Sequence, residues 1–285
     1  MIHALCVVKN EADIIEQTLR AAVRWCDWIY VLDNGSGDGT WEKVQALAKE
    51  LPAVVPYGQD ARPFDDGIRN VLFRRYGRGA QPGDWWCVLD ADEFYIDDPR
   101  RFLERVPRRY DTVWYVLYVY LFTDVDRRAW EADPRRFDDH VPIEQRLRHY
   151  VVGEYSEARF FRHASGLTHL PDDRPGLVYP CRIRLKHFAY RSPRQIAARL
   201  ETRREPMLRG EFLHEKRANW VPDGVIVPGP ATLDDLPQSW DERVVASAHC
   251  HEDSGDGRYA AEPAWTPPRT PLWPRARRLL PRVIA

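Results

Sequence analysis

Asp90 and Asp92 follow the apolar run Trp85 to Leu89 in the segment WWCVLDADEFY. Carboxylates at i and i+2, leaving the end of a buried strand, can hold one hard divalent cation. That cation can bridge the phosphates of a nucleotide diphosphate and neutralise it as a leaving group. The same pair also occurs in plain solvated turns at strand ends, so its neighbours matter. Asn10 and Glu11 follow the first apolar run, and DNGSGDGT (Asp33 to Thr40) follows the second. Arg69 stands in GIRN, and His187 and Arg191 stand in LKHFAYRSPRQIAARL.

The elements that must position these residues are legible from hydrophobic period. Ala4–Val8, Trp28–Leu32, Val54–Tyr57 and Trp85–Leu89 read as short buried strands. Between them, Ile14 to Cys26, Trp41 to Leu51 and Ile68 to Tyr76 carry apolar residues at helical spacing. Asn10 is the expected cap of the first helix. Strands alternating with helices predict an α/β fold with a mostly parallel, Rossmann-like sheet, whose ligands bind at the carboxyl ends of the strands. Asn10 and Glu11, Asp33 to Asp38, and Asp90 to Glu93 all fall at such ends.

After Asp111 the pattern changes. Thr112–Phe122 is a long aromatic strand and Cys181–Tyr190 another, with a mixed Arg-rich region between them; Ser192-Pro193 opens a helix through about Arg204. The expected division is a first part over 1–110, a second part over 111–215, and a Pro-rich extension over 216–285. Trp114, Tyr115, Tyr118, Trp130 and Tyr150 are candidate stacking surfaces.

Composition limits the partners. Across 285 residues the formal net charge is −1, which gives no support for nucleic-acid binding. Hydrophobic residues make up 44%, enough for a sizeable core. The 5 cysteines form no C-x-x-C pair, and Cys6, Cys87 and Cys181 sit in apolar runs. Buried free thiols in a reducing compartment are expected. No run approaches the ~18 apolar residues of a membrane span, so a soluble cytoplasmic protein is the expectation. The terminal RARRLL offers weak contact with the inner membrane face, although Pro274 and Pro281 favour a packed or frayed tail. His249, Cys250, His251 and Glu252 look metal-like, but three adjacent residues cannot easily all face one ion. Oligomeric state is not legible.

The order VVKNEADIIEQTL, VLDNGSGDGTWE, GIRN, GDWWCVLDADEF over roughly residues 3–95 resembles the donor-binding half of family 2 glycosyltransferases, which have the GT-A fold. LKHFAYRSPRQIAARL resembles the H-x-x-Y-R-S segment of the subgroup related to lipopolysaccharide core glucosyltransferases. The resemblance implies a metal-dependent, inverting transfer of a sugar from a nucleotide-sugar co-substrate, most often UDP-linked. The acceptor would be a glycan, a lipid-linked molecule or a small molecule. It implies that Asn10 and Glu11 lie in the loop that contacts ribose, that Asp33 reads the base with Asp38 in the same turn, and that Arg69 approaches base and phosphates. Asp90, Asp92 and His187 would hold Mn²⁺ (or Mg²⁺), imidazole with carboxylates suiting Mn²⁺. Arg191, beside a helix start, is either a surface charge or a pyrophosphate contact. Each of the others has a plainer reading: a cap for Asn10, an Asx turn for Asp33 to Asp38, a solvated helix position for Arg69, a satisfied strand histidine for His187.

The general base is the open point. The subgroup's His-Glu pair is replaced here by THLPDDRPG, so the Glu is missing. Asp172 is the favoured substitute, with Asp126 and Asp124, after the aromatic strand, next. A sugar-1-phosphate nucleotidyltransferase would need a Gly-rich loop where VVKNEAD stands. A phosphatase would carry its aspartate pair after the first strand. An inactive nucleotide-sugar-binding protein is the remaining alternative.

Overall fold

The computed structural model describes residues 1–64, 66–153, 155–164, 166–167, 169–170, 176–208, 249–250 and 259–268. Strand β1 (Ile2–Val8) is buried along its whole length, as a central parallel strand covered on both faces must be. It pairs in parallel with β2 (Trp28–Asp33) on one side and β4 (Trp85–Leu89) on the other, and β3 (Val54–Gln59) extends the order beyond β2. Helices α1 (Ile15–Ala22), α2 (Thr40–Glu50) and α3 (Arg69–Tyr76) make the crossovers. Alternate β1 residues serve opposite faces. Cys6 and Val8 pack with Leu19 and Leu47, while Leu5 and Val7 pack with Leu72, Phe73 and Trp86.

The second half turns this parallel sheet into a mixed, curled one, in keeping with the GT-A fold. β8 (Ala158–Arg162) adds antiparallel to β4, β6 (Thr112–Leu121) to β8, and β7 (His149–Val152) to β6. The short β10 (His249–Cys250) pairs with β7. Strand β9 (Ile183–His187) runs parallel to β6 and antiparallel to β5 (Glu93–Tyr95), with His187 opposite Glu93. That register carries the late histidine back beside the residues that follow β4. The remaining helices are α4 (Pro99–Glu104), α5 (Asp124–Ala132), α6 (Ile143–Arg146) and α7 (Pro193–Leu208). Residues 259–268 return to the sheet, where Tyr118 Oη donates to the Ala260 carbonyl at 3.0 Å and Arg182 donates to the Pro263 carbonyl at 2.9 Å.

Several local expectations are corrected. Asn10 does not cap α1, whose N-cap position is Ile14 with no side-chain cap. Its φ of 55° is left-handed, a conformation Asn tolerates better than most residues. The chain after the aromatic strand is not a loop: Thr123 and Asp126 form a capping box that starts α5. The Asp126 carboxylate accepts from the Thr123 N–H at 2.7 Å and hydroxyl at 2.6 Å. The aromatics offered as stacking surfaces are mostly core: Trp114, Tyr115, Tyr118 and Tyr150 are buried. Cys6, Cys26 and Cys87 are buried free thiols, but Cys181 is exposed because it precedes β9 rather than lying within it. His249 and Cys250 belong to β10; His251, Glu252, Asp172 and the RARRLL segment lie outside the described residues. No helix among the described residues is long and apolar enough to cross a membrane.

His3 gives this core a pH-dependent element. It is buried on β1, stacks on Trp86 at 4.6 Å between ring centroids, and faces Tyr30 Oη at 3.1 Å and Asp84 at 3.4 Å. Burial lowers its pKa below the ordinary 6.5, against the upward pull of Asp84. The unfolded chain therefore binds the proton more readily, and stability should fall as pH drops below 6.5. His3→Gln should flatten that slope in denaturant titrations run across the acid range. An unchanged slope would assign the acid sensitivity to other groups.

Candidate functional site

A cleft of ≈ 1360 Å³ opens at the carboxyl ends of β1, β2 and β4. Lys9, Asn10, Glu11, Asn34 and Arg69 line one side, and Asp90, Asp92 and Glu93 its floor. Tyr115, Tyr155 and Glu157 form the opposite wall, with Arg199 and Arg203 of α7 facing in.

Asn10 ties three segments together. Its N–H donates to Ser36 Oγ at 2.9 Å, its Oδ1 accepts from the Gly37 N–H at 2.9 Å, and its Nδ2 donates to Thr202 Oγ1 on α7 at 3.0 Å. Asp33 is wholly buried. Its Oδ1 accepts from the Gly35 and Ser36 N–H groups at 3.0 and 2.8 Å and from Gln59 at 3.2 Å, while Oδ2 is buried with no hydrogen-bond partner. Gly35 is required in that turn: its φ is +78°, and a Cβ there would stand 3.0 Å from Ala61. Asn34, next along, donates to the Asp60 and Arg62 carbonyls, and its Oδ1 is likewise buried without a partner. Neither Asp33 nor Asp38 is among the residues lining the cleft, although Asn34 is. The Asp38 carboxylate accepts from the Ala12 N–H at 3.0 Å and from Thr40, and so pins the loop after β1 to the start of α2.

The floor is a network of charges. Asp90 accepts from Arg69 Nη2 at 2.6 Å and from Arg159 Nη1 at 3.1 Å. Burial would raise its pKa, but these two guanidinium groups outweigh it and hold the carboxyl below the usual range. Asp92 has His187 Nε2 at 3.3 Å, Arg199 at 3.6 Å and Arg191 at 3.8 Å. Burial again acts upward, and the three cationic neighbours together hold Asp92 far below the usual carboxylate value. Asp92 in turn raises His187 against the effect of burial. Glu93 differs. Its Oε1 accepts from Arg159 at 2.8 Å, but Oε2 is buried and unpartnered. Arg159 divides its charge between Asp90 and Glu93, so burial wins and pushes Glu93 up to about 8.

Arg191 is neither a surface charge nor a cleft residue. It is completely buried beneath the floor and bonded to Asp13 Oδ1 and Oδ2 at 2.7 Å each and Glu11 Oε2 at 2.5 Å. It also donates to the Phe188 carbonyl at 2.8 Å. It braces the loop after β1 against the turn before α7. Asp126, in its capping box, does not line the cleft. The arginines Arg159, Arg199 and Arg203 were not anticipated. A signal existed: Arg159 stands on an aromatic strand next to Phe160, and Arg199 and Arg203 repeat at i, i+4 with Gln195 on one face of α7.

For a metal, Asp92 and His187 supply a carboxylate and an imidazole side by side, a donor pair suited to Mn²⁺. Among the described residues no group of three His, Cys, Asp or Glu side chains could hold an ion by itself. Asp90 is turned towards two arginines. The pair therefore fits an ion whose remaining ligands come from a bound molecule and water.

The sequence profile described as glycosyl transferase family 2 matches residues 5–163. The chain belongs to glycosyl transferase family 2. This family 2 protein is also similar to solved structures of low identity. One is the mannosyltransferase PcManGT of Pyrobaculum calidifontis in complex with GDP-Man and Mn²⁺, at 19% identity and TM-score 0.32, covering 39% of this chain and 34% of that one. Another is S. aureus TarS 1-349 in complex with UDP, at 16% identity and TM-score 0.30, covering 42% and 35%. A third is glucosyl-3-phosphoglycerate synthase from Mycobacterium tuberculosis in complex with Mn²⁺, UDP and glucosyl-3-phosphoglycerate, at 14% identity and TM-score 0.29, covering 57% of each chain. The matched part thus spans about a third of the length of the first two.

Removing Arg159 tests the network. Arg159→Met leaves Glu93 buried without its cation, while the half-buried Asp90 keeps Arg69, and should destabilise the fold by about 3–5 kcal/mol in denaturant unfolding. Adding Glu93→Gln should recover part of that loss. A near-neutral Arg159→Met would mean that the floor carboxylates find water or protons instead.

Proposed function

We propose that this protein is a metal-dependent, inverting glycosyltransferase that moves a sugar from a UDP-linked sugar donor to an acceptor hydroxyl. The observation that carries the proposal is the meeting of Asp90, Asp92 and His187 on the floor of one cleft, at the strand ends of a family 2 fold. Likeness to the lipopolysaccharide core subgroup rests on Leu185 to Leu200 and stays within the proposal, as does a donor half over 1–110, an acceptor-side half over 111–215 and an extension over 216–285.

In this reading each group has a physical task. Asp92 and His187 would hold the cation, Mn²⁺ or Mg²⁺, which when bound neutralises charge on the departing diphosphate. Arg69, held on Asp90, presents positive charge to the same region, and so do Arg199 and Arg203. Arg203 is pushed down to about 10 by burial and Arg199, so it is still a cation at neutral pH. The unpartnered Asp33 Oδ2 and Asn34 Oδ1 are buried acceptors, which suit donors such as the imino N–H of a pyrimidine base. Asn10 and Glu11, which line the cleft, would contact the ribose. Asp172, where the family resemblance puts the general base, lies outside the described residues.

Two measurements test the proposal. Asp92→Asn should keep its circular dichroism spectrum, lose turnover, and lose the part of UDP affinity that depends on Mn²⁺. Full activity of the parent in excess EDTA would contradict the metal's role. Separately, Asp33→Asn should cost UDP about 1.5–3 kcal/mol of binding free energy in calorimetry, because one charge-assisted hydrogen bond to the base is lost. Parent-like affinity would remove Asp33 from nucleotide recognition.

A further inference from the structure

The acceptor side of the cleft holds a carboxylate that the family resemblance does not reach. Among the described residues six carboxylates line the cleft: Glu11, Asp90, Asp92, Glu93, Glu157 and Glu201. Glu11, Asp90 and Asp92 are bonded to cations of the floor. Glu93 is buried to 4% exposure under Arg159. Glu201 sits on α7, next to the Thr202 that bonds Asn10 on the nucleotide side. Glu157 alone among these stands on the wall opposite the nucleotide loops, with its side chain 43% exposed.

Its position is set by its neighbours. The Glu157 carbonyl accepts from the Tyr115 N–H at 3.2 Å, and Ser156 Oγ donates to the Tyr115 carbonyl, so the segment is stitched to β6. Tyr155 Oη donates to Glu157 Oε2 at 2.9 Å, and Arg159 Nη2 lies 3.7 Å from Oε1. The same guanidinium bonds Asp90 and Glu93, so one Arg separates this carboxylate from the floor where the diphosphate would bind. Beside it, the Tyr155 ring is 64% exposed, an aromatic plane facing solvent at the cleft edge. An exposed aromatic ring next to a positioned carboxylate suits the apolar face of a pyranose and one of its hydroxyls.

We propose that Glu157 is the general base and that Tyr155 is the stacking platform of a carbohydrate acceptor subsite. Resting on the transferase reading above, the step is a single displacement. Glu157 takes the proton of the acceptor hydroxyl as that oxygen bonds the anomeric carbon. The bond from that carbon to the diphosphate oxygen breaks, its electron pair leaves with the diphosphate, and Glu157 later returns the proton to water.

The test uses the full chain with UDP-glucose, UDP-galactose, UDP-N-acetylglucosamine and GDP-mannose as donors. Methyl glycosides or water serve as acceptor, and nucleotide release is followed at high enzyme concentration. Glu157→Gln should bind UDP as the parent does and release nucleotide roughly 10²–10⁴-fold more slowly. Glu157→Asp, which keeps the carboxylate, should lose less. Parent-like rates in Glu157→Gln, or a large loss only in Asp172→Asn, would overturn the assignment and leave the transferase reading standing. A parent that releases no nucleotide from any donor would instead contradict that reading and this one with it.

Discussion

Arg159 and Arg191 hold the carboxylates at the heart of this fold. Arg191 bonds Glu11 and Asp13 from the loop after β1, and Arg159 bonds Asp90 and Glu93 from the turn after β4. Neither β1 nor β4 could end in acids on a buried floor without such cations, because an unpaired buried carboxylate costs several kcal/mol. The two arginines come from late in the chain, from β8 and from the turn before α7. The later part of the sheet therefore completes the charge balance of the earlier part, and the two cannot be separated as independent units of stability.

That balance also sets what the cleft can bind. Asp92 faces His187, Arg191 and Arg199, and Asp90 faces Arg69 and Arg159, while Arg191 also bonds Glu11 and Asp13 and Arg159 also bonds Glu93, so opposite charges alternate around the pair. The positive charge there is already positioned before anything binds, and fixed charges need little reorganisation when charge moves. The aromatic and apolar wall across the cleft, with Tyr115, Leu117 and Tyr155, offers a different chemistry, suited to a ring rather than to a phosphate.

Much of the parallel half was legible from sequence because β1, β2 and β4 are buried runs separated by helices with clear period. The acids at their ends follow from strand placement alone, whereas the arrival of His187 near them was implied only by the family resemblance and is made by the pairing of β9 with β5. The second half was less legible. In Thr112–Leu121 apolar and aromatic residues occupy both faces, so the pattern could not say which rings face the cleft; most are core, and the exposed Tyr155 lies outside the strand. Asp126 read as a loop acid because a capping box shows in sequence only once the helix start is known. Asn10 read as a cap, yet its left-handed backbone ties Ser36, Gly37 and Thr202 together, a long-range arrangement no local pattern carries. Arg159 was hidden for the same reason: Asp90 and Glu93, the carboxylates it bonds on the floor, lie more than 60 residues away in sequence.

The central claim is that this charge-balanced floor is a diphosphate and metal site. A crystal structure of the full chain with UDP and Mn²⁺ tests it most directly. The account predicts Mn²⁺ ligated by Asp92, His187 and the UDP diphosphate, with Arg199 drawn off Asp92 towards the phosphates and the base over Asn34 and Asp33. UDP bound elsewhere, or bound in the cleft with Arg199 still on Asp92 and no metal between Asp92 and His187, would contradict it.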